Sequence, residues 1–276
     1  MTVDTAKRVA DQASDNLRLR IISGLVMAPV AIALVWLGGW YFLGLVIVAG
    51  LLMNVEWDRL CGGRGQGIHM WLLAGTIIAS GILLHLDLMS WSLGIAAVGS
   101  LASAATRGGH HATWTLLGAI YIIVPILALI WLRSEPATGL ATVVWLLFVV
   151  WATDTGAYVF GRLIGGPKMA PAISPNKTWA GLLGGAVVAA LIGFPAGWLM
   201  GVQSFKYLVV AGAILAIVGQ TGDVFESSIK RHFNVKDSGT IIPGHGGLFD
   251  RLDSLLFVAV VYAAVMILSG GAAVWR

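Results

Sequence analysis

The sequence predicts an all-α polytopic integral membrane protein of about nine transmembrane helices, with its N-terminus in the cytoplasm. Three observations lead there: the composition, the length of the apolar runs, and the placement of Lys and Arg. Of 276 residues, 58% are hydrophobic and 11% charged, with a mean hydropathy of +0.88. Soluble domains carry roughly 25% charged residues, so too little polar surface is available here to face water on every side.

Runs long enough for a hydrocarbon core of ~30 Å fall at 20–37, 40–56, 70–86, 88–105, 112–132, 139–161, 179–200, 207–226 and 252–270. Gly38 and Gly39 separate the first pair, and Asp87 alone marks the turn between the third and fourth. An inside N-terminus leaves only Arg133, Lys206 and Arg276 on the outer side, and the other 14 of the 17 Lys and Arg residues on the cytoplasmic side. Shifting one helix would scramble that partition, so the positive-inside pattern supports both the count and the orientation. The two long polar connections, 162–178 and 227–251, then both face the cytoplasm.

Residues 1–19 form a polar tail. Val3, Ala6, Val9, Ala10, Ala13 and Leu17 recur there at helical spacing, as in a short helix lying on a membrane surface. Residues 20–276 read as one transmembrane domain, with the catalytic region in 139–270, and no cleavable signal is expected. The single cysteine, Cys61, excludes an internal disulfide framework and reads as a small residue beside Gly62 and Gly63. A net charge of +4 comes from basic loops rather than from a Lys/Arg run interleaved with aromatics, so no nucleic-acid partner is expected. The twelve tryptophans suit interfacial anchoring.

Acidic residues are scarce, and four of them form two matched pairs. Asp223 and Glu226 stand at i, i+3 near the end of the eighth helix, and Asp250 and Asp253 at i, i+3 at the start of the ninth. That spacing places both carboxylates of a pair on one helical face, where they repel and lose hydration near the bilayer. A divalent cation would compensate them, and oxygen ligands suit Mg²⁺, which keeps waters and accepts substrate phosphates. The plainer alternative makes each pair ordinary boundary acids at headgroup level, with Asp250 and Asp253 favoured by a helix N-terminus. Between the pairs lies Gly244-His245-Gly246-Gly247, expected to expose backbone N–H groups at a helix start ready to receive anions. Lys230, Arg231, Lys236 and Arg251 add positive charge nearby.

The stretches Ser227-Ser228-Ile229-Lys230-Arg231, Lys236-Asp237-Ser238-Gly239 and Pro243-Gly244-His245-Gly246-Gly247-Leu248-Phe249-Asp250-Arg251-Leu252-Asp253 resemble the signature of phosphatidate cytidylyltransferases, the CDP-diacylglycerol synthases. Two upstream segments extend the resemblance. Asp154-Thr155-Gly156-Ala157-Tyr158 with Gly161-Arg162 is similar to a second block of that family. Its Asp154, Tyr158 and Arg162 recur every four residues on one helical face. Ser174-Pro175-Asn176-Lys177-Thr178-Trp179-Ala180-Gly181 is similar to the family's Ser-Pro-Lys-Lys-Thr-x-Glu-Gly. Here Asn176 stands in place of a lysine and Ala180 in place of a glutamate.

The resemblance implies a multi-pass protein of the bacterial inner membrane that uses CTP, phosphatidic acid and Mg²⁺. The reaction would give CDP-diacylglycerol and pyrophosphate, at a site facing the cytoplasm. Asp223, Lys230, Asp250 and Arg251 become the catalytic candidates. Asp223, Glu226, Asp250 and Asp253 become the metal candidates, with room for a second cation at Glu226 or Asp253. Substrate contacts would come from Asp154, Tyr158, Arg162, Ser174, Lys177, Ser227, Arg231, Lys236, His245, Gly246 and Gly247. The acyl chains would stay among membrane lipids, in a groove expected between the sixth, eighth and ninth helices. The resemblance alone implies a homodimer. Two alternatives remain open on the sequence: a cation-coupled transporter built around acids such as Asp154, and a CTP-using enzyme acting on another lipid.

Overall fold

Nine helices account for nearly all of the chain described by the computed structural model, which covers residues 27–63, 65–199, 206–239, 241 and 246–270. They are α1 (Met27–Leu37), α2 (Gly39–Leu60), α3 (Ile68–His85), α4 (Met89–Arg107), α5 (Gly109–Ser134), α6 (Gly139–Leu163), α7 (Trp179–Leu199), α8 (Lys206–His232) and α9 (Phe249–Leu268). Each corresponds to one apolar run of the sequence. Among the described residues, α2 to α9 are long and apolar enough to cross a membrane. The first run is described only from Met27, and the polar tail 1–19 lies outside the described residues. Large apolar side chains such as Trp198 and Leu268 are 80% and 87% exposed. That outer surface suits lipid and not water.

The helices alternate in direction, and polar contacts join like ends. At one end Arg133 Nε donates to the Val35 carbonyl (2.9 Å) and its Nη2 to that of Trp36 (3.1 Å), satisfying carbonyls at the close of α1. At the other end a buried Asp58 in the last turn of α2 meets His69 Nε2 (2.6 Å) and Arg107 Nη2 (3.2 Å), and accepts the Gly65 N–H (2.7 Å). Asp87 adopts a left-handed conformation, φ 61°, in the turn between α3 and α4, which its short polar side chain tolerates. Cys61 is buried beside Asp58 and Arg107, and burial pushes its thiol up to about 12, so it acts as a small packing residue.

The most buried of these helices, α5, packs against α2, α3, α4, α6 and α9. Its Tyr121 stacks on Phe249 of α9, with centroids 5.4 Å apart, and meets the edges of Trp57, Phe225 and Phe257. This aromatic cluster draws α2, α5, α8 and α9 together beneath the polar end of the bundle. The α6–α9 group is held closely by small residues, as expected where helices meet inside a membrane. A Cβ on Gly185 of α7 would lie 2.8 Å from the Thr153 carbonyl oxygen of α6, and one on Gly222 of α8 would lie 2.7 Å from that of Asp253 in α9.

Two features differ from the sequence expectation. The eighth helix continues past residue 226 to His232, because Phe225 and Ile229 keep an apolar contact stripe going after the lipid-compatible run ends. It stops in a Schellman turn. Asn234 is left-handed at φ 55°, with its N–H on the Arg231 carbonyl (3.1 Å) and the Val235 N–H on that of Lys230 (2.9 Å). The connection after α6 contains an antiparallel ribbon of β1 (Lys168–Ala170) and β2 (Ser174–Thr178), with Lys168 opposite Thr178 and Ala170 opposite Ser174.

The close approach at Gly222 makes a testable difference. Gly222→Ala gains helix propensity of about 1 kcal/mol but drives a methyl into backbone, which costs about 1–3 kcal/mol. Thermal melting in detergent is expected to fall for Gly222→Ala. It is expected to hold or rise for Gly75→Ala in α3, where an added Cβ meets nothing within 4 Å.

Candidate active site

Charged groups gather where the end of α8, the start of α9, the end of α2 and the β1–β2 ribbon meet. Lys230, one turn after Glu226 on the extended part of α8, places Nζ 2.5 Å from Glu226 Oε2 and 2.5 Å from Asp250 Oδ1. All three side chains are at most 12% exposed. The ammonium thus bridges two carboxylates from neighbouring helices, and its position in the last turn of α8 complements the helix dipole. A buried arrangement of this kind is weak as a stability device, because desolvation offsets much of the attraction. What it fixes is position.

The other oxygen of Asp250 organises the loop before α9. Oδ2 accepts the N–H groups of Ser238 (3.1 Å) and Gly247 (2.9 Å) and the Ser238 hydroxyl (3.0 Å). Glu56, buried at the end of α2, completes the arrangement. Its Oε1 accepts the Leu248 N–H (2.7 Å), and its Oε2 accepts the Phe249 N–H (2.9 Å) and the Ser238 hydroxyl (3.4 Å). Two carboxylates therefore satisfy the start of α9, where orphan donors and the positive dipole end favour negative charge.

This arrangement corrects the expectation of an open, anion-receiving helix start. The N–H groups of Gly247, Leu248 and Phe249 are taken by the chain's own acids. Gly246 takes φ +82°, and a Cβ on Gly247 would strike the Ser238 hydroxyl and lie 2.8 Å from the Gly239 nitrogen. The glycines let the loop close tightly around Glu56 and Asp250. His245 lies outside the described residues.

A second ion pair lies beside the first. Lys177, on β2, places Nζ 2.6 Å from Asp223 Oδ2, and the Ser227 hydroxyl lies 3.3 Å from Asp223 Oδ1. The ribbon is what carries Lys177 inward, and Thr178 fixes its end by capping α7, accepting the Gly181 N–H at 3.0 Å. Arg231 faces the same ribbon, with Nε 3.3 Å from the Ile173 carbonyl oxygen. Asp253 is buried and accepts the Ser254 N–H at 2.7 Å. It stands in electrostatic contact with Asp223, Asp154 and Lys177, while Asp154 also feels Arg251.

The remaining sequence candidates sit further out. On α6, Tyr158 and Arg162 are exposed and bonded to each other at 2.8 Å. Lys236 is exposed at the rim, and Ser174 is half-buried in the ribbon. The structure brings Asp154, Lys177, Asp223, Ser227, Lys230, Asp250 and Asp253 to one end of the bundle. It adds Glu56, which the sequence reading did not single out. The signal was there in Val55-Glu56-Trp57-Asp58, two acids among buried residues on an apolar helix.

Among the described residues, no group of three or more His, Cys, Asp and Glu side chains forms a ready-made metal cage. The donor set nevertheless suits Mg²⁺, which typically takes one or two carboxylates and completes its shell with water and phosphate oxygens. Two buried atoms of the site, Glu226 Oε1 and Tyr121 Oη, have no hydrogen-bond partner among the described residues, and Tyr121 is in electrostatic contact with Asp253, Glu226 and Asp223. Buried polar atoms of that kind are uncommon unless water, ion or ligand completes them.

Comparison with known proteins bears on this geometry. The sequence model of the cytidylyltransferase family matches residues 18–269. A phosphatidate cytidylyltransferase of Brucella suis biovar 1 (strain 1330) is 39% identical over 255 residues, covering 89% of this chain and 92% of the relative. One from Rickettsia bellii (strain RML369-C) is 33% identical over 263 residues, covering 91% of each. Another, from Staphylococcus saprophyticus, reaches 44% over 150 residues, covering 53% of this chain and 56% of the relative.

The role of Glu56 can be read directly. In Glu56→Ala two buried N–H groups lose their acceptor, at about 1–3 kcal/mol each. Amide exchange at Leu248 and Phe249, followed by mass spectrometry, is expected to quicken by about tenfold or more. Glu56→Gln, which keeps one carbonyl acceptor, is expected to fall between. Unchanged exchange in Glu56→Ala would remove Glu56 from the support of this site.

Proposed function

Because the chain belongs to the cytidylyltransferase family, we propose that it transfers CMP from CTP to phosphatidate, releasing pyrophosphate and leaving CDP-diacylglycerol in the membrane. The observation that carries this reading is the alternation of Lys177, Asp223, Lys230, Glu226 and Asp250 at one end of membrane-spanning helices. Such a site can bind both a polyanion and its cation at the boundary where a lipid headgroup meets water.

The attacking atom is a phosphate oxygen of phosphatidate. A phosphomonoester has its second pKa at about 6, so this oxygen is already anionic near neutral pH and no general base is required. Its lone pair forms the new bond to the α-phosphorus of CTP. The bond from that phosphorus to the bridging oxygen breaks, and its electron pair leaves with pyrophosphate. The chain's task is to hold two polyanions in line and to compensate the charge growing on the leaving group. Lys230 and Lys177 are placed to exchange a carboxylate contact for a phosphate oxygen, with Arg231 and Arg251 beside them. Asp250 uses Oδ2 to hold the loop, while Oδ1 pairs with Lys230 and would face the reaction once Lys230 turns to a phosphate oxygen. Mg²⁺, held by Asp223 and Asp250 with Glu226 and Asp253 close by, would supply Lewis-acid neutralisation of the triphosphate when bound.

The Lys and Arg distribution supports a cytoplasmic orientation for this end of the bundle, and the apolar helices and bacterial relatives support placement in the inner membrane, where cytosolic CTP has access.

Turnover by the purified protein in detergent tests the assignment. Formation of CDP-diacylglycerol from CTP and phosphatidate is expected to require Mg²⁺ and to stop on adding EDTA. Asp250→Asn and Asp223→Asn are each expected to lose activity by about a hundredfold or more, with gel-filtration profiles unchanged. Near-normal turnover in folded Asp250→Asn would overturn the assignment.

A further inference from the structure

The end of the bundle away from the charged cluster carries polar groups that the reaction does not use. Where the start of α2 meets the close of α3 and of α5, a cavity of about 290 Å³ opens. Arg133 of α5 forms one part of its wall, and His85 and Asp87 at the end of α3 form another. Phe42, Leu43 and Ile130 supply the apolar lining. Gly39, also in the wall, stands about 17 residues before Glu56 on α2, or ~26 Å at 1.5 Å per residue. The cavity therefore lies near the far side of a ~30 Å hydrocarbon core. Exposed Trp36 and Trp40 flank it: the Trp36 carbonyl accepts from Arg133, and the Trp40 ring meets His85 with centroids 4.5 Å apart. Tryptophans so placed mark headgroup level.

We propose that this cavity binds the headgroup of a membrane phospholipid that carries a primary ammonium, with its phosphate on Arg133 and its ammonium on Asp87. Opposite charges line the one cavity, yet among the described residues no acid pairs with Arg133 and no base with Asp87. A headgroup bearing both charges satisfies both walls, whereas a plain anion would meet repulsion from Asp87. Arg133 is held in place for the task. Its Nε and Nη2 are fixed on the Val35 and Trp36 carbonyls, while Nη1 has no partner among the described residues. Gly38, left-handed at φ +64°, makes room for the guanidinium, because a Cβ there would strike it. A guanidinium fixed in this way presents planar donors that match phosphate oxygens. Asp87 is exposed, where the ammonium at the tip of a headgroup would reach it. The flanking tryptophans favour a lipid over a soluble zwitterion, and the apolar lining suits the glycerol and the first methylenes.

Native mass spectrometry of the purified protein, titrated with dioleoyl lipids that differ only in headgroup, tests the site. Phosphatidylethanolamine is expected to bind about fivefold or more tighter than phosphatidylcholine, whose methylated ammonium cannot donate to Asp87. The same margin is expected over phosphatidylglycerol, which has no ammonium. Asp87→Asn keeps a residue that tolerates the left-handed conformation, and is expected to erase the preference with thermal melting unchanged. In the unaltered protein, a water-soluble carbodiimide is expected to couple the lipid amine to Asp87 as an amide, read by peptide mass spectrometry. Equal binding of all the lipids would show only general lipid contact and overturn the site. Preference for phosphatidylglycerol would overturn the ammonium assignment. Soluble glycerophosphoethanolamine binding as tightly as the lipid would overturn the membrane source. A preference that survives in Asp87→Asn, with no coupling at Asp87, would place the lipid elsewhere and sink the proposal.

Discussion

One ammonium group between two carboxylates sets the terms for this end of the molecule. Lys230 can reach Glu226 and Asp250 together only if α8 runs a turn and a half beyond its apolar stretch and α9 starts close beside it. The first condition is met by the Phe225–Ile229 stripe and the Asn234 turn, the second by Gly222 against the Asp253 carbonyl. Glu56 then fixes where α9 begins by taking its first free N–H groups. Removing Lys230 would leave two buried carboxylates uncompensated, at about 3–5 kcal/mol. The group proposed to handle substrate charge is therefore also the one that keeps the acids tolerable in the resting protein.

Arrangement at a membrane boundary explains the division of labour. The hydrophobic part of the chain provides rigid helices whose positions are set by steric contact, including Gly185 on Thr153 and Tyr121 on Phe249. Charge is confined to their ends, where a nucleotide can arrive from water while phosphatidate keeps its acyl chains in lipid. The relatives that share most of this chain's length carry the name of an enzyme with those two substrates.

The helices α2 to α9 were legible because each is an apolar run of membrane length, and Lys and Arg placement set their alternation. The carboxylate pairs were legible because acids are rare here, so Asp223, Glu226, Asp250 and Asp253 stood out by spacing alone. What escaped was tertiary in origin. The extension of α8 is polar and lacked the hydropathy signal, although Asn234 marks its stop. The ribbon of Lys168–Ala170 with Ser174–Thr178 is too short and polar to show alternation, yet it delivers Lys177 to Asp223. Glu56 lies 192 residues from the Leu248 N–H it accepts, a pairing no local pattern encodes. The glycine-rich loop was seen as a receptacle for anions, but the Gly247 N–H is taken by Asp250 and the next two N–H groups by Glu56.

We propose that the Lys230 cluster moves a nucleotidyl group and not a phosphoryl group. CTP labelled differently on its α- and γ-phosphates, given to the purified protein with phosphatidate and Mg²⁺, tests that claim most directly. Nucleotidyl transfer puts α-label in the lipid and γ-label in pyrophosphate in equal amount, and folded Lys230→Met is expected to yield neither product. Label from the γ-phosphate in the lipid, or full α-label transfer by Lys230→Met, would contradict it.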